Sequence, residues 1–354
     1  MKITKAIKCL VSIGLCFALL SCDRNPPVSE NAITPKVITE LAKHDTDDPA
    51  IWINEINPDS SLIIGTDKDV DGALMVYNLD GKIIERKCVY GIKRPNNVDI
   101  RKIKLGGSIV SIAVTTERLT NKIRIFSLPD MKPVDNGGIE VFVGETERDP
   151  MGIALYRRES DSIVFAIVGR KTGPAGRYLW QYTLEDDGTG NVKATKVREF
   201  GQYSGKKEIE AIAVDDELGY LYCSDEQFGV RKYFADPEKG DGELALFATT
   251  GFIGDHEGIS IYKVDSVSGY ILISDQQANK FHIYTREGTA GNPHEHKELK
   301  IIDVSAVESD GSEVTNISTT KFPTGLFVVM STDRTFHFYD WTDIIGKDLE
   351  VADR

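Results

Sequence analysis

The chain has 354 residues, with 55 Asp and Glu against 42 Lys and Arg, a formal net charge of −13. That balance argues against a nucleic-acid or anionic-membrane surface, because affinity for a phosphate backbone rests on basic patches. The length exceeds a typical single domain, yet no linker-like stretch divides it, which directs attention to repeats.

Residues 1–22 read as an export signal, since Lys2, Lys5 and Lys8 precede an apolar run, CLVSIGLCFALL, too short to span a bilayer. The run ends in Leu19-Leu20-Ser21-Cys22, similar to the bacterial lipobox in which the cysteine is acylated and becomes the new N-terminus. Ordinary cleavage nearby, with Cys22 a spare thiol, is the alternative and would give a freely secreted protein of the same fold. Residues 23–35, DRNPPVSENAITP, are polar and proline-containing, as a tether should be. Loss of the leader leaves 39 basic against 55 acidic residues, a charge near −16, and removes Cys9 and Cys16. With Cys22 lipidated, only Cys88 and Cys223 remain, too few for a disulfide framework. The expectation is a monomeric domain over residues 36–354, held at the bacterial cell envelope by its lipid alone, at the outer membrane or cell surface rather than the inner membrane.

Six copies of one pattern follow: an apolar strand, a short charged turn and a second strand carrying an aromatic residue. They begin at Leu62, Val110, Val164, Leu221, Ile271 and Leu326. β-Branched and aromatic residues fill the runs, while Gly, Asp and Asn punctuate them. A period near 50 residues with several strands per unit is the signature of propeller blades, so the expected fold class is all-β, a six-bladed β-propeller. A further strand precedes each hairpin: DTDDPAIWI, NNVDIRKI, DPMGIALY, EIEAIAVD, DHEGISIY and SEVTNIST. Five of these open on acidic or amide groups. First strands line the channel of a propeller, so their openings should converge at one mouth.

Gathered carboxylates repel one another and either take protons or bind cations. Asp47, Asp48, Asp99, Glu208, Glu210, Asp255 and Glu257, with the amides Asn96, Asn97 and Gln276, form an all-oxygen set that suits calcium better than zinc. His44 and His256 lie near these acids but lack an H-E-x-x-H or cysteine partner set, and turn hydrogen bonding is the better reading of them. The hairpin turns bring Lys68, then Arg118, then Arg170 and Lys171, and in the fourth Glu226. Calcium beside Lys and Arg suits a multiply charged anion, with phosphate leading. Hydrolysis by a metal-activated water needs no covalent nucleophile, and no G-x-S-x-G or comparable phosphatase motif is present. Asp67–Gly72 matches the opening of a calcium loop, but position twelve is Asn78 and strands flank it. Asp215–Gly219 fits a hairpin turn.

At this point the chain resembles the calcium-dependent β-propeller phytases, over roughly residues 44–345. The most specific segments are Asp47-Asp48-Pro49-Ala50-Ile51-Trp52 and Asn96-Asn97-Val98-Asp99-Ile100-Arg101. The resemblance implies release of phosphate from phytate, myo-inositol hexakisphosphate, with several calcium ions. It implies calcium near Asp48, Asn97 and the Val98 carbonyl, and calcium at the scissile phosphate on Glu210, Asp255, Glu257 and Gln276. Phosphate contacts fall to Lys68, Arg118 and Lys171, with Arg170 a competing alignment, and Glu226 joins the site carboxylates. Met151 stands where the family has a phosphate-contacting Tyr, Ala211 where it prefers Gly. In the last blade Glu308-Ser309-Asp310-Gly311 keeps part of a T-D-G element with Asp310 as a metal candidate, while Met330-Ser331-Thr332-Asp333 replaces Q-D-G-x-N. Two other functions stay open: a phosphoesterase for a different anionic ester, and a non-catalytic surface-binding propeller.

Overall fold

The computed structural model describes residues 27–352, so the leader and Cys22 lie outside the described residues. From Thr46 onward the chain lays down antiparallel sheets in sequence, each a meander whose first strand is innermost. Blade 1 runs through Thr46–Trp52, Leu62–Asp67, Gly72–Asn78 and Val89–Ile92. The inner strands of blades 2 to 6 are Pro95–Leu105, Pro150–Arg157, Ile209–Asp215, His256–Lys263 and Ser312–Thr315. They pack in cyclic order, the sixth returning to the first. All six hairpins read from the sequence are present, and their first strands are buried along most of their length.

The sixth blade borrows its outer strand from the opposite end of the chain. Val37 pairs with Phe338 and Ile38 with His337 on the strand Thr335–Asp340. Closure in this way removes a free sheet edge and ties the ring's ends together. Attachment starts earlier than the expected boundary at residue 36: Ile33 bridges Val304, donating to the Asp303 carbonyl at 2.9 Å. After the last strand a short helix, Trp341–Ile345, is capped by Asp340 accepting from the Thr342 N–H, and Trp341 stacks on Tyr262 at 3.9 Å.

Stability follows from the gaps between blades. Among the described residues six apolar clusters form, and each joins two neighbouring blades, such as Ile112 and Val114 with Leu155 and Val168. Burying one such side chain contributes about 1.5–3 kcal/mol, so the blades cohere without disulfides, and Cys88 and Cys223 are free thiols. The acidic run at Asp215 is a hairpin turn with Gly219 at φ +71°, and it has a second use. Buried Asp215 takes Arg286 of the next blade in a two-pronged pair at 2.6 and 2.8 Å, with Glu217 completing the grip.

Candidate active site

Five of the six inner strands shift register at the same place, just after their first residue. Such bulges bend a strand and re-aim its side chains. The bulged residues are Asp47-Asp48, Asn96-Asn97, Met151-Gly152, Glu210-Ala211 and Glu257-Gly258, and Asp310-Gly311 holds the corresponding place before blade 6. The first member of each pair makes an inner ring: Asp47, Asn96, Met151, Glu210, Glu257, Asp310. The second member sits where neighbouring inner strands nearly touch. A Cβ on Gly152 would lie 1.7 Å from the Glu210 carbonyl oxygen, and one on Gly311 2.5 Å from that of Asp47.

A second ring comes from the hairpin turns. Lys68, Arg118, Lys171, Glu226 and Gln276 each donate their backbone N–H to a carbonyl just ahead of the inner strand, those of Asp45, Arg94, Asp149, Glu208 and Asp255. Thr332 does the same toward Val307. The mouth is therefore sixfold in backbone, and this second ring is divided in charge: Lys and Arg rise from blades 1 to 3, a carboxylate, an amide and a hydroxyl from blades 4 to 6. This repeat separates the two alternatives in blade 3. Arg170 is the last residue of its strand and is almost wholly buried, bound to Glu145 at 3.0 Å and to the carbonyls of Glu147 and Arg177, its guanidinium over the Phe142 ring. Its charge is spent on structure. Lys171 takes the ring position, 2.7 Å from Glu208.

Carboxylates meet in two overlapping triads, Glu208–Glu210–Glu226 and Glu226–Asp255–Glu257, each with oxygens within 4.8 Å of one another and all members buried. Asn96 ties the inner ring together, donating to Asp47 at 3.2 Å and Glu210 at 3.0 Å. Lys68 pairs with Asp47 and stands 3.4 Å from Asp310, to which Gln276 also donates. Burial, then the Asp47 charge, pushes Glu210 up to about 7. Burial pushes Glu226 up to about 8 against the pull of Lys207, and holds Glu257 and Asp310 well above the carboxylate range. Arg118 is held below its usual value by burial, and its Nε has no hydrogen-bond partner.

The remaining expected residues separate by depth. Asp48 accepts from the Val98 N–H at 2.9 Å and, with Asn97, lines the top of an axial channel of about 500 Å³. Asn97 Oδ1 is buried without a partner. Asp99 lies further along that channel with its oxygens engaged by Arg101 and the N–H groups of Ile100 and Leu155, so it stands apart from the mouth. His256 donates through Nε2 to the Ala248 carbonyl and stacks on Phe252, and it is a member of neither carboxylate cluster. The Asp67–Gly72 segment is a hairpin turn whose Asp67 accepts from the N–H groups of His44 and Asp45. Lys207, Gln227 and Gln277, all bonded to Asp255, were not singled out by sequence reasoning. Lys207 adjoins Glu208, and Gln227 and Gln277 each follow the ring residue of their turn, Glu226 and Gln276, which was the signal available.

The donor set is all oxygen, burial raises Glu210, Glu226 and Glu257 while Lys207 and the neighbouring amides hold Asp255 down, and Glu226 Oε1 and Glu257 Oε2 are buried without hydrogen-bond partners. That combination fits a hard divalent cation, and the Lys–Arg arc beside it fits a phosphate ester. The class so defined is a six-bladed propeller whose mouth sets clustered carboxylates beside basic side chains. A family model for phytases matches residues 1–337. A 3-phytase of Bacillus subtilis (strain 168) is 29% identical over 337 residues, covering 87% of this chain and 82% of that protein. The chain belongs to the phytase family.

Proposed function

We propose that this phytase-family chain releases phosphate from phytate, using calcium held by the two triads. The observation that carries the reading is the pairing of the triads, joined by Glu226, with Lys68, Arg118 and Lys171 on the facing arc. Glu208, Glu210, Glu226, Asp255 and Glu257 would hold the ions, with Asp310 and Gln276 beside them. Calcium, when bound, supplies positive charge at the phosphoryl oxygens and acidifies a water. Arg118 offers its fork to two phosphate oxygens, while Lys68 and Lys171 add point charge where negative charge accumulates. Asn96 keeps Asp47 and Glu210 at a fixed separation. The buried walls limit water, which strengthens each of these interactions. Asp48 and Asn97 would hold a further ion on the axis.

The assay is phosphate release from phytate and from simple phosphate monoesters at millimolar calcium, for the parent chain and Glu210→Gln. Release from phytate, lowered about 10²-fold or more by the substitution, is expected from loss of a charge-positioning group. Release from simple esters with none from phytate would reject the substrate. The envelope location rests on Lys2, Lys5, Lys8 and the Leu19–Cys22 segment, and mass spectrometry of Cys22 in membrane fractions tests it. A monomer is expected, and light scattering reads this directly.

A further inference from the structure

Lys207 is the one lysine placed inside a carboxylate triad among the described residues. Basic residues recur three positions ahead of the inner ring, as His44, Lys93 and Arg148 in blades 1 to 3, but Arg148 bonds Glu140 and the Val141 carbonyl, whereas Lys207 turns into a triad. The Lys207 ammonium is 2.6 Å from Glu226 Oε2, 2.6 Å from Asp255 Oδ2 and 3.9 Å from Glu257 Oε1. Those three acids are the second triad. The first triad shares Glu226 with the second, but no ammonium reaches all three of its members. Lys171 reaches only Glu208, and Glu210 receives an amide from Asn96.

A cation bound by three carboxylates and an ammonium bound by the same three need the same space. We propose that Lys207 is a tethered competitor for calcium at Glu226–Asp255–Glu257, so that the two triads bind calcium with unequal affinity and the second fills only when the ammonium withdraws. Its side chain is 38% exposed and ends a flexible four-carbon stem, so withdrawal toward solvent unburies little. The residues that hold it also favour the charged form: burial opposes protonation, but Asp255, Glu226 and Glu257 outweigh it. At low calcium the lysine neutralises and shapes the triad, and rising calcium displaces it.

The inference rests on reading the mouth as a calcium site, and its test uses no substrate. Chelator-stripped parent protein, Lys207→Met and Lys207→Arg are titrated with calcium by calorimetry, and melting is followed with and without the ion. The parent is expected to show a tight and a weak class. Lys207→Met should tighten the weak class roughly tenfold, a usual size for site coupling, while Lys207→Arg keeps it weak. Metal-free Lys207→Met should melt below the metal-free parent and regain more on calcium addition. An unchanged weak class in Lys207→Met overturns the inference alone, leaving the calcium reading intact. Absence of calcium binding in all three proteins overturns both.

Discussion

Adjacent residues of one chemical type show where the sequence stops being legible. Arg170 and Lys171 are both basic, both at a turn, and the composition of the segment cannot rank them. The ladder can: Arg170 pairs with Pro150 as the strand's last residue, while the Lys171 N–H reaches the Asp149 carbonyl as its counterparts do in other blades. The two should fail differently on substitution. Lys171→Met is expected to lower kcat/KM for phytate about 10²-fold with its melting temperature nearly unchanged. Arg170→Met strands Glu145 and empties a packed site, and should lose about 3 kcal/mol in denaturant unfolding. A titration offers a second residue-level check, at Glu313 in the axial channel. Burial, then Asp99, pushes this carboxyl up to about 7. The folded chain thus keeps a proton that the unfolded chain sheds near 4.5, and the stability it gives is present below that value and falls as pH rises toward 7. Glu313→Gln should flatten this slope and gain on the order of 2 kcal/mol relative to the parent at pH 8, after allowance for channel water. Equal pH profiles for the two proteins would remove the group from the account.

At the level of elements, the hairpins and their order were readable because apolar runs, aromatic residues and turn residues recur at blade spacing. The conversion of a strand opening into a ring member was readable only in part. Acids at the start of inner strands signalled a mouth, yet the bulge that aims Glu210 and Glu257 inward is a property of register, which adjacent residues do not declare. The Gly that follows carries the geometric reason: Gly152 and Gly258 lie where two inner strands approach backbone to backbone. Asp48, Asn97 and Ala211 show that blades 1, 2 and 4 accept a side chain there. Gly152→Ala places a methyl against the Glu210 carbonyl, so the inner strand of blade 4 must move. A loss of about 1–3 kcal/mol in unfolding free energy is expected, together with weaker calcium binding through the displaced Glu210. Calorimetry separates these, and a destabilised protein with unaltered calcium affinity would detach the bulge from the site.

For the whole molecule, the ring is held by two fastenings of different origin. One is covalent order turned into topology: Val37–Ile38 completes blade 6, a pairing of residues some 300 apart that no local pattern announces. The other is the mouth, where Glu226 of blade 4 and Asp255 and Glu257 of blade 5 share one site, so an ion there stitches neighbouring blades. A ligand that binds only the folded state stabilises it by about 2.7 kcal/mol at one hundred times its dissociation constant, so chelation should lower the melting temperature by several degrees. Removal of residues through Thr39 should also lower it, since the edge strand Thr335–Asp340 loses its partner and the Thr39 bond to Phe336. The fastenings share no residue and lie on different blades. Their effects on unfolding free energy should therefore add to within about 0.5 kcal/mol, as independent sites do. Denaturant melts of the full and truncated proteins, each with calcium or chelator, give the four values required. A truncated protein that no longer responds to calcium would mean instead that the mouth forms only in a closed ring, with the metal site a consequence of closure rather than a second fastening.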